Sequence, residues 1–146
     1  MTLVVDASVA LKWFFREEGS DRAAALFDST ETLIAPDLLL AEVCNGGWKA
    51  VRSGTALPVQ VEIAAARLPL ALDELVSGAG LCSEAVAAAL ELDHPVYDCM
   101  YLALARQRQA RLVTADRRLL GRLAGTHWAA HAIGLWDVPS TARGTA

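Results

Sequence analysis

The stretch His94–Asp116, HPVYDCMYLALARQRQARLVTAD, constrains the fold more than any other part of the chain. Pro95 and the β-branched Val96 suit an entry turn, and Met100, Leu102, Ala103, Leu104 and Ala105 supply helix formers with an apolar stripe. The helix runs out through Arg106, Arg108 and Arg111, whose charges complement the dipole of a last turn. Leu112, Val113 and Thr114 then read as a short buried strand that delivers Asp116 at its carboxyl end. This is a βαβ-type layout, and in open α/β sheets that strand end is where ligands bind. Asp98 falls in or beside the first helical turn, where the dipole and free backbone N–H groups hold a carboxylate ionised. Taken singly, an Asp at a helix start is commonly a cap and an Asp after a strand commonly a turn residue. Only further acids delivered to the same edge give the pair a chemical meaning.

The rest of the chain supplies them. Thr2–Val5 is a β-branched run ending in Asp6, the same layout as at Asp116. Ser8 follows at a helix start, where it can cap or hydrogen-bond a carboxylate. After a helix over 22–27 and a strand over 33–35, Pro36-Asp37 opens another helix. Along it Glu42, Asn45, Lys49 and Arg52 form a polar stripe beside an apolar one of Leu39, Val43 and Ala50. Gly46 and Gly47 each cost about 1 kcal/mol in mid-helix, so this spot needs close approach or local flexibility. Leu57-Pro58 starts a helix that Pro69 breaks, and Leu70–Leu75 is a possible strand. An Ala-rich helix over 83–92, a short helix after Asp116 and a last strand within 130–135 complete the order βααβααβαα(β)αβ. Such alternation implies a three-layer α/β/α fold with a central, mostly parallel sheet.

Length and composition set the outer limits. With 146 residues, the chain makes one domain over 1–138, with a frayed tail over 139–146. Hydrophobic residues at 54% exclude intrinsic disorder, and the longest uncharged run, Leu123–Trp136, is too short to span a bilayer. No basic n-region or long apolar h-region follows Met1, so a cytoplasmic location is expected. Cys44, Cys82 and Cys99 lack C-x-x-C spacing and do not make a zinc site or a disulfide framework. The net charge of −4 argues against a nonspecific nucleic-acid coat but is compatible with a nuclease whose acids gather at a metal. Six arginines (Arg106, Arg108, Arg111, Arg117, Arg118 and Arg122) flank Asp116 and form either a phosphate path or an ordinary solvated face. Arg117 and Arg118, next to Asp116, are the better candidates for contact with a phosphate backbone. Trp13, Phe14, Phe15 and the helix around 57–68 offer apolar surface for a protein partner.

Asp6, Glu42, Asp98 and Asp116 form an all-oxygen donor set, which suits Mg²⁺ or Mn²⁺. With Val5-Asp6-Ala7-Ser8, Leu40-Ala41-Glu42-Val43-Cys44-Asn45, Tyr97-Asp98 and Val113-Thr114-Ala115-Asp116 in this order, the chain resembles the PIN-domain ribonucleases, in particular the VapC-type toxins of bacterial toxin–antitoxin pairs. The resemblance implies Mg²⁺- or Mn²⁺-dependent endonucleolytic cleavage of RNA, homodimerisation and inhibition by a cognate antitoxin. It also implies that Asp6, Glu42, Asp98 and Asp116 are the catalytic, metal-holding acids, that Ser8 and Thr114 are supporting or substrate-positioning hydroxyls, and that Asn45 is a polar neighbour. Gly46-Gly47 departs from the family pattern, in which helix formers more often continue.

Two rivals on a similar fold lack key groups. A phosphoacceptor receiver domain, a non-catalytic signalling module, wants paired acids after an early strand and a Lys after a late one, and here the lysines are Lys12 and Lys49. An aspartyl-phosphate phosphatase wants an acid two residues past its nucleophile, where this chain has Ser8. A binding module without turnover keeps the fold and is separated from a nuclease by a cleavage assay.

Overall fold

A computed structural model describes residues 1–139, so the tail expected beyond Pro139 lies outside the described residues. The strands are β1 (Thr2–Val5), β2 (Thr32–Pro36), β3 (Glu74–Val76), β4 (Arg111–Thr114) and β5 (Ala132–Gly134). All pair in parallel, in the order β3-β2-β1-β4-β5. The helices are α1 (Ala7–Phe14), α2 (Ser20–Ala25), α3 (Leu38–Arg52), α4 (Pro58–Ala71), α5 (Cys82–Leu92), α6 (Val96–Gln107) and α7 (Arg117–Leu123). Right-handed crossovers place α1–α4 on one face of the sheet and α5–α7 on the other. The packing agrees, since α1 lies against α2, α3 and α4, while α5 lies against α6. This is the three-layer α/β/α arrangement, with the mostly parallel sheet of the sequence reading now parallel throughout.

The central strands are buried on both faces, which is why they read as continuous apolar runs rather than alternating ones. Val4, Val5, Leu112, Val113 and Thr114 are fully inaccessible to solvent. Helix α6 is buried over Cys99–Ala105, on every side rather than along one stripe. It covers β1, β2 and β4 and is itself covered by α5 and by the segment around the buried Trp128. Each Leu or Val removed from water here contributes about 1.5–3 kcal/mol.

Several boundaries differ from the sequence reading. Helix α4 continues through Pro69 to Ala71 instead of breaking there, and β3 is correspondingly confined to Glu74–Val76. Pro69 forfeits a hydrogen bond to the carbonyl of Ala65, but both residues lie on the exposed side, where water replaces the lost donor. Helix α2 starts at Ser20, earlier than expected, because Gly19 turns the chain with a φ of 86°. The mid-helix glycines mark close approach. A Cβ on Gly47 would stand 2.8 Å from the ring of Phe15, and one on Gly46 would stand 2.9 Å from Leu11. Phe15 is buried, while Trp13 packs on Phe27 and donates its indole N–H to the Ala23 carbonyl. Part of the aromatic cluster expected to face a partner is therefore core. On α4, by contrast, Val59, Ile63 and Leu70 are exposed, as is Leu57 just before it. Among the described residues no helix is long and apolar enough to cross a membrane.

Candidate active site

Strand order reverses its direction of growth between β1 and β4, so the crevice at their carboxyl ends is the topological switch point of the sheet. Asp6 leaves β1 there, its backbone N–H still bonded to the Val113 carbonyl of β4 at 3.1 Å. Its carboxyl group is buried, with 6% exposure. Oδ2 accepts hydrogen bonds from the hydroxyls of Ser8 and, at 2.8 Å, Thr114. Each hydroxyl is used twice. Ser8 Oγ accepts the Ala115 N–H, and Thr114 Oγ1 accepts the Asp116 N–H, both at 3.0 Å. The two hydroxyls thus tie the end of β4 to the end of β1. Oδ1 of Asp6 receives no such bond and is not sealed from solvent.

Glu42, from the first half of α3, accepts the Tyr101 hydroxyl at 2.7 Å. Asp98, in the first turn of α6, meets His94 Nε2 at 2.6 Å, with roles set by the imidazole tautomer. The acids feel one another. Burial pushes the Asp6 carboxyl up from 3.8 to about 6, the Ser8 and Thr114 hydroxyls oppose this, and the charges of Asp98 and Glu42 raise it further. Burial likewise raises Glu42, against the Tyr101 hydrogen bond and with the help of Asp98. The Tyr101 phenol is held far above its ordinary range, first by burial and then by Glu42 and Asp6, with Asp98 adding to them. It is a permanent donor.

Asp116 is joined to this group through Thr114, yet its Oδ1 caps α7 by accepting the Arg118 and Leu119 N–H groups at 3.0 and 3.1 Å. The cap and the site reading coexist, because Oδ2 is not used in the cap. Asn45 is exposed one turn beyond Glu42 and takes no part in the network. Among the described residues no three His, Cys, Asp or Glu side chains converge closely enough to enclose a metal, and no Lys or Arg forms an ion pair with any of the four acids. The charges of Asp6, Glu42 and Asp98 nonetheless reach one another, and Asp116 is linked to Asp6 through Thr114. All these donors are oxygens, and their mutual repulsion has no resident Lys or Arg partner, which is the chemistry a hard divalent cation fits.

The sequence reading passed over His94 and Tyr101. Their signal was spacing, since His94 is four residues before Asp98 and Tyr101 three after it, on one side of the helix. The arginines divide. Arg108 pairs with Glu74 at 2.7 Å and Arg106 with Glu84 at 3.5 Å, while Arg111 lies at the opposite end of β4. Arg117 and Arg118 share a cavity with Asp116. A cavity of about 850 Å³ lies toward the amino ends of the strands, lined by Leu3, Phe27, Arg111 and Ile133, and holds none of the four acids.

A family model described as PIN domain matches residues 3–125, and the chain belongs to that family. Within it, the chain is similar to Ribonuclease VapC3 of Pyrobaculum aerophilum, with 34% identity over 121 residues that cover 82% of this chain and 92% of that protein. This makes it a VapC-type member. A crystal structure from Pyrobaculum aerophilum matches the fold with a TM-score of 0.63 at 22% identity, over 93% of this chain and 85% of the other. A toxin–antitoxin complex from Klebsiella pneumoniae gives 0.62 at 15% identity, over 93% and 99% of the two chains. VapBC2 from Rickettsia felis, bound to a DNA fragment from its promoter, gives 0.62 at 13% identity, over 92% and 98%.

Proposed function

We propose that this protein is a Mg²⁺- or Mn²⁺-dependent endoribonuclease, the toxin of a toxin–antitoxin pair, and that Asp6, Glu42, Asp98 and Asp116 are its catalytic acids. The observation that carries this reading is the buried Asp6 carboxyl, pinned by Ser8 and Thr114 through one oxygen while the charges of Glu42 and Asp98 act on it. A family relative named a ribonuclease supports the substrate class. The four acids would hold the ion, which supplies Lewis acidity toward a phosphodiester and lowers the pKa of a bound water. The chain's own contribution is orientation. Tyr101 fixes Glu42, His94 fixes Asp98, and the paired hydroxyls fix Asp6, so each carboxylate keeps one aspect toward the crevice. A carboxylate so held can accept the proton of an attacking water during in-line displacement. Asn45 is a polar neighbour on the approach, and Arg117 and Arg118 are the cations positioned to meet the RNA backbone. An antitoxin and a second copy of the chain are the partners proposed, and the exposed apolar side of α4 is the surface offered to them.

The test is incubation of purified protein with total RNA, with Mn²⁺ or with EDTA, reading the cut positions. Cleavage is expected with Mn²⁺ only, and Asp98→Asn should lower the rate by about a hundredfold or more. Undiminished cutting in EDTA by a nuclease-free preparation would sink the metal-dependent reading.

A further inference from the structure

A second cavity, of about 350 Å³, opens beside Asp116, with Lys12, Glu18, Arg117, Arg118 and Trp136 on its walls. The sheet register explains how a residue so late in the chain reaches this edge. Thr114 and Gly134 are partners in the β4–β5 ladder. Asp116 and Trp136 each stand two residues further along, so both leave the sheet at the same end. Trp136 is fixed there, with its carbonyl accepting from Arg22 Nη1 at 2.9 Å and its ring packed against the core. The Arg117 guanidinium lies 4.5 Å from the centre of that ring, and Lys12 Nζ lies 6.0 Å from it.

Arg52 lies on Trp48 in the same way, at 5.0 Å, and what distinguishes Arg117 is that it is held so beside Asp116. Arg16, Arg106 and Arg108 are committed to carboxylates, whereas among the described residues neither Arg117 nor Arg118 has an acid partner. A guanidinium laid on an indole face is attracted without being neutralised, so its N–H fork and full charge stay available to an anion. Lys12 uses two of its three donors, on Glu17 at 3.1 Å and on the Glu18 carbonyl at 2.6 Å. The cavity is therefore small and edged by Glu18 and Asp116, with Lys12 already paired to Glu17, so that among the described residues Arg117 and Arg118 are the cations on its walls that no carboxylate neutralises. Those features match a phosphodiester one nucleotide away from the bond being cut, on a strand threaded singly rather than paired.

We propose that this cavity is a subsite for the neighbouring phosphate of single-stranded RNA, in which Arg117 is the phosphate ligand and Trp136 is a positioning residue that holds the guanidinium in place. The inference rests on the ribonuclease reading above, but it is tested by binding rather than turnover. The probe is a fluorescein-labelled single-stranded oligoribonucleotide titrated in Ca²⁺ at several salt concentrations, with each variant's fold checked by circular dichroism. Arg117→Gln and Trp136→Leu should each weaken binding roughly fivefold. Each should flatten the log–log salt slope by roughly 0.7, the value for one phosphate contact on a single strand. Trp136→Phe, which keeps an aromatic face, should restore most of the loss, and the double variant should bind no more weakly than Arg117→Gln alone. Arg117→Lys, which keeps the charge and does not touch the core, should still weaken binding because the flat stack on the ring is lost. Losses that multiply in the double variant, an Arg117→Lys that binds like wild type, or an unchanged slope in Arg117→Gln would each overturn the proposal. Absence of RNA cleavage alongside the expected slopes would instead remove the ribonuclease reading and leave the subsite standing.

Discussion

Asp6 carries the largest resolved electrostatic strain among the four acids, and its sign can be worked out. Its folded pKa, about 6, lies above the ordinary 3.8, so the native state holds its proton more tightly than the unfolded chain does. Its contribution is fully favourable below the unfolded value and is lost as pH rises through the folded one. Without metal, wild-type stability relative to Asp6→Asn should therefore fall between about pH 4 and pH 6, by on the order of 3 kcal/mol at most. Denaturant midpoints for both proteins at pH 4.5 and 7.5 check this. A difference that does not change with pH would show that Asp6 ionises freely in the fold. Asn still accepts both hydroxyl donors, so the variant should fold while losing turnover. Tyr101→Phe removes the donor that opposes the rise of Glu42, so Glu42 should move further up and carry the acid limb of the pH–rate profile to higher pH. An acid limb that stays in place would remove Glu42 from the rate-controlling ionisations.

At the level of elements, Gly47 offers the sharper test of packing. Helix propensity favours Ala over Gly by about 1 kcal/mol, yet the added methyl would press on the buried ring of Phe15 at 2.8 Å and on Val61 at 3.1 Å. Gly47→Ala should thus destabilise by about 1–2 kcal/mol net. Gly46→Ala, whose nearest neighbour is the movable end of Leu11, should be close to neutral. Equal effects at the two positions would mean that α1 does not constrain α3 as described. The same elements show why so much was readable beforehand. Strand runs such as Leu3-Val4-Val5 and Leu112-Val113-Thr114 carry their own period and end in acids, so the alternation and the shared edge of Asp6 and Asp116 were visible in one dimension. Pro69 misled because its cost depends on whether the abandoned carbonyl faces water, which no local pattern states. Tyr101 reaching Glu42 across 59 residues, and Trp136 standing beside Asp116, belong to the register of the sheet and were hidden for that reason.

For the molecule as a whole, a cation that occupies the crevice binds only the folded state and must stabilise it. At a Mn²⁺ concentration one hundred times its dissociation constant, the gain is about 2.7 kcal/mol. A thermal shift on adding Mn²⁺ is expected in wild type and should shrink in Asp98→Asn; an equal shift in both would place the ion elsewhere. The bond from Thr114 to Asp6 has a further consequence for how the protein is made. The two ends of that bond are 108 residues apart, so the first acid is synthesised long before the strand that buries and orients it. At roughly 5–20 residues per second, a ribosome takes on the order of 5–20 seconds to cover that distance. Throughout that interval β1 has no β4 beside it, and the sheet cannot close at its switch point. A nascent chain of this topology therefore cannot assemble the network around Asp6 until β4 has been made.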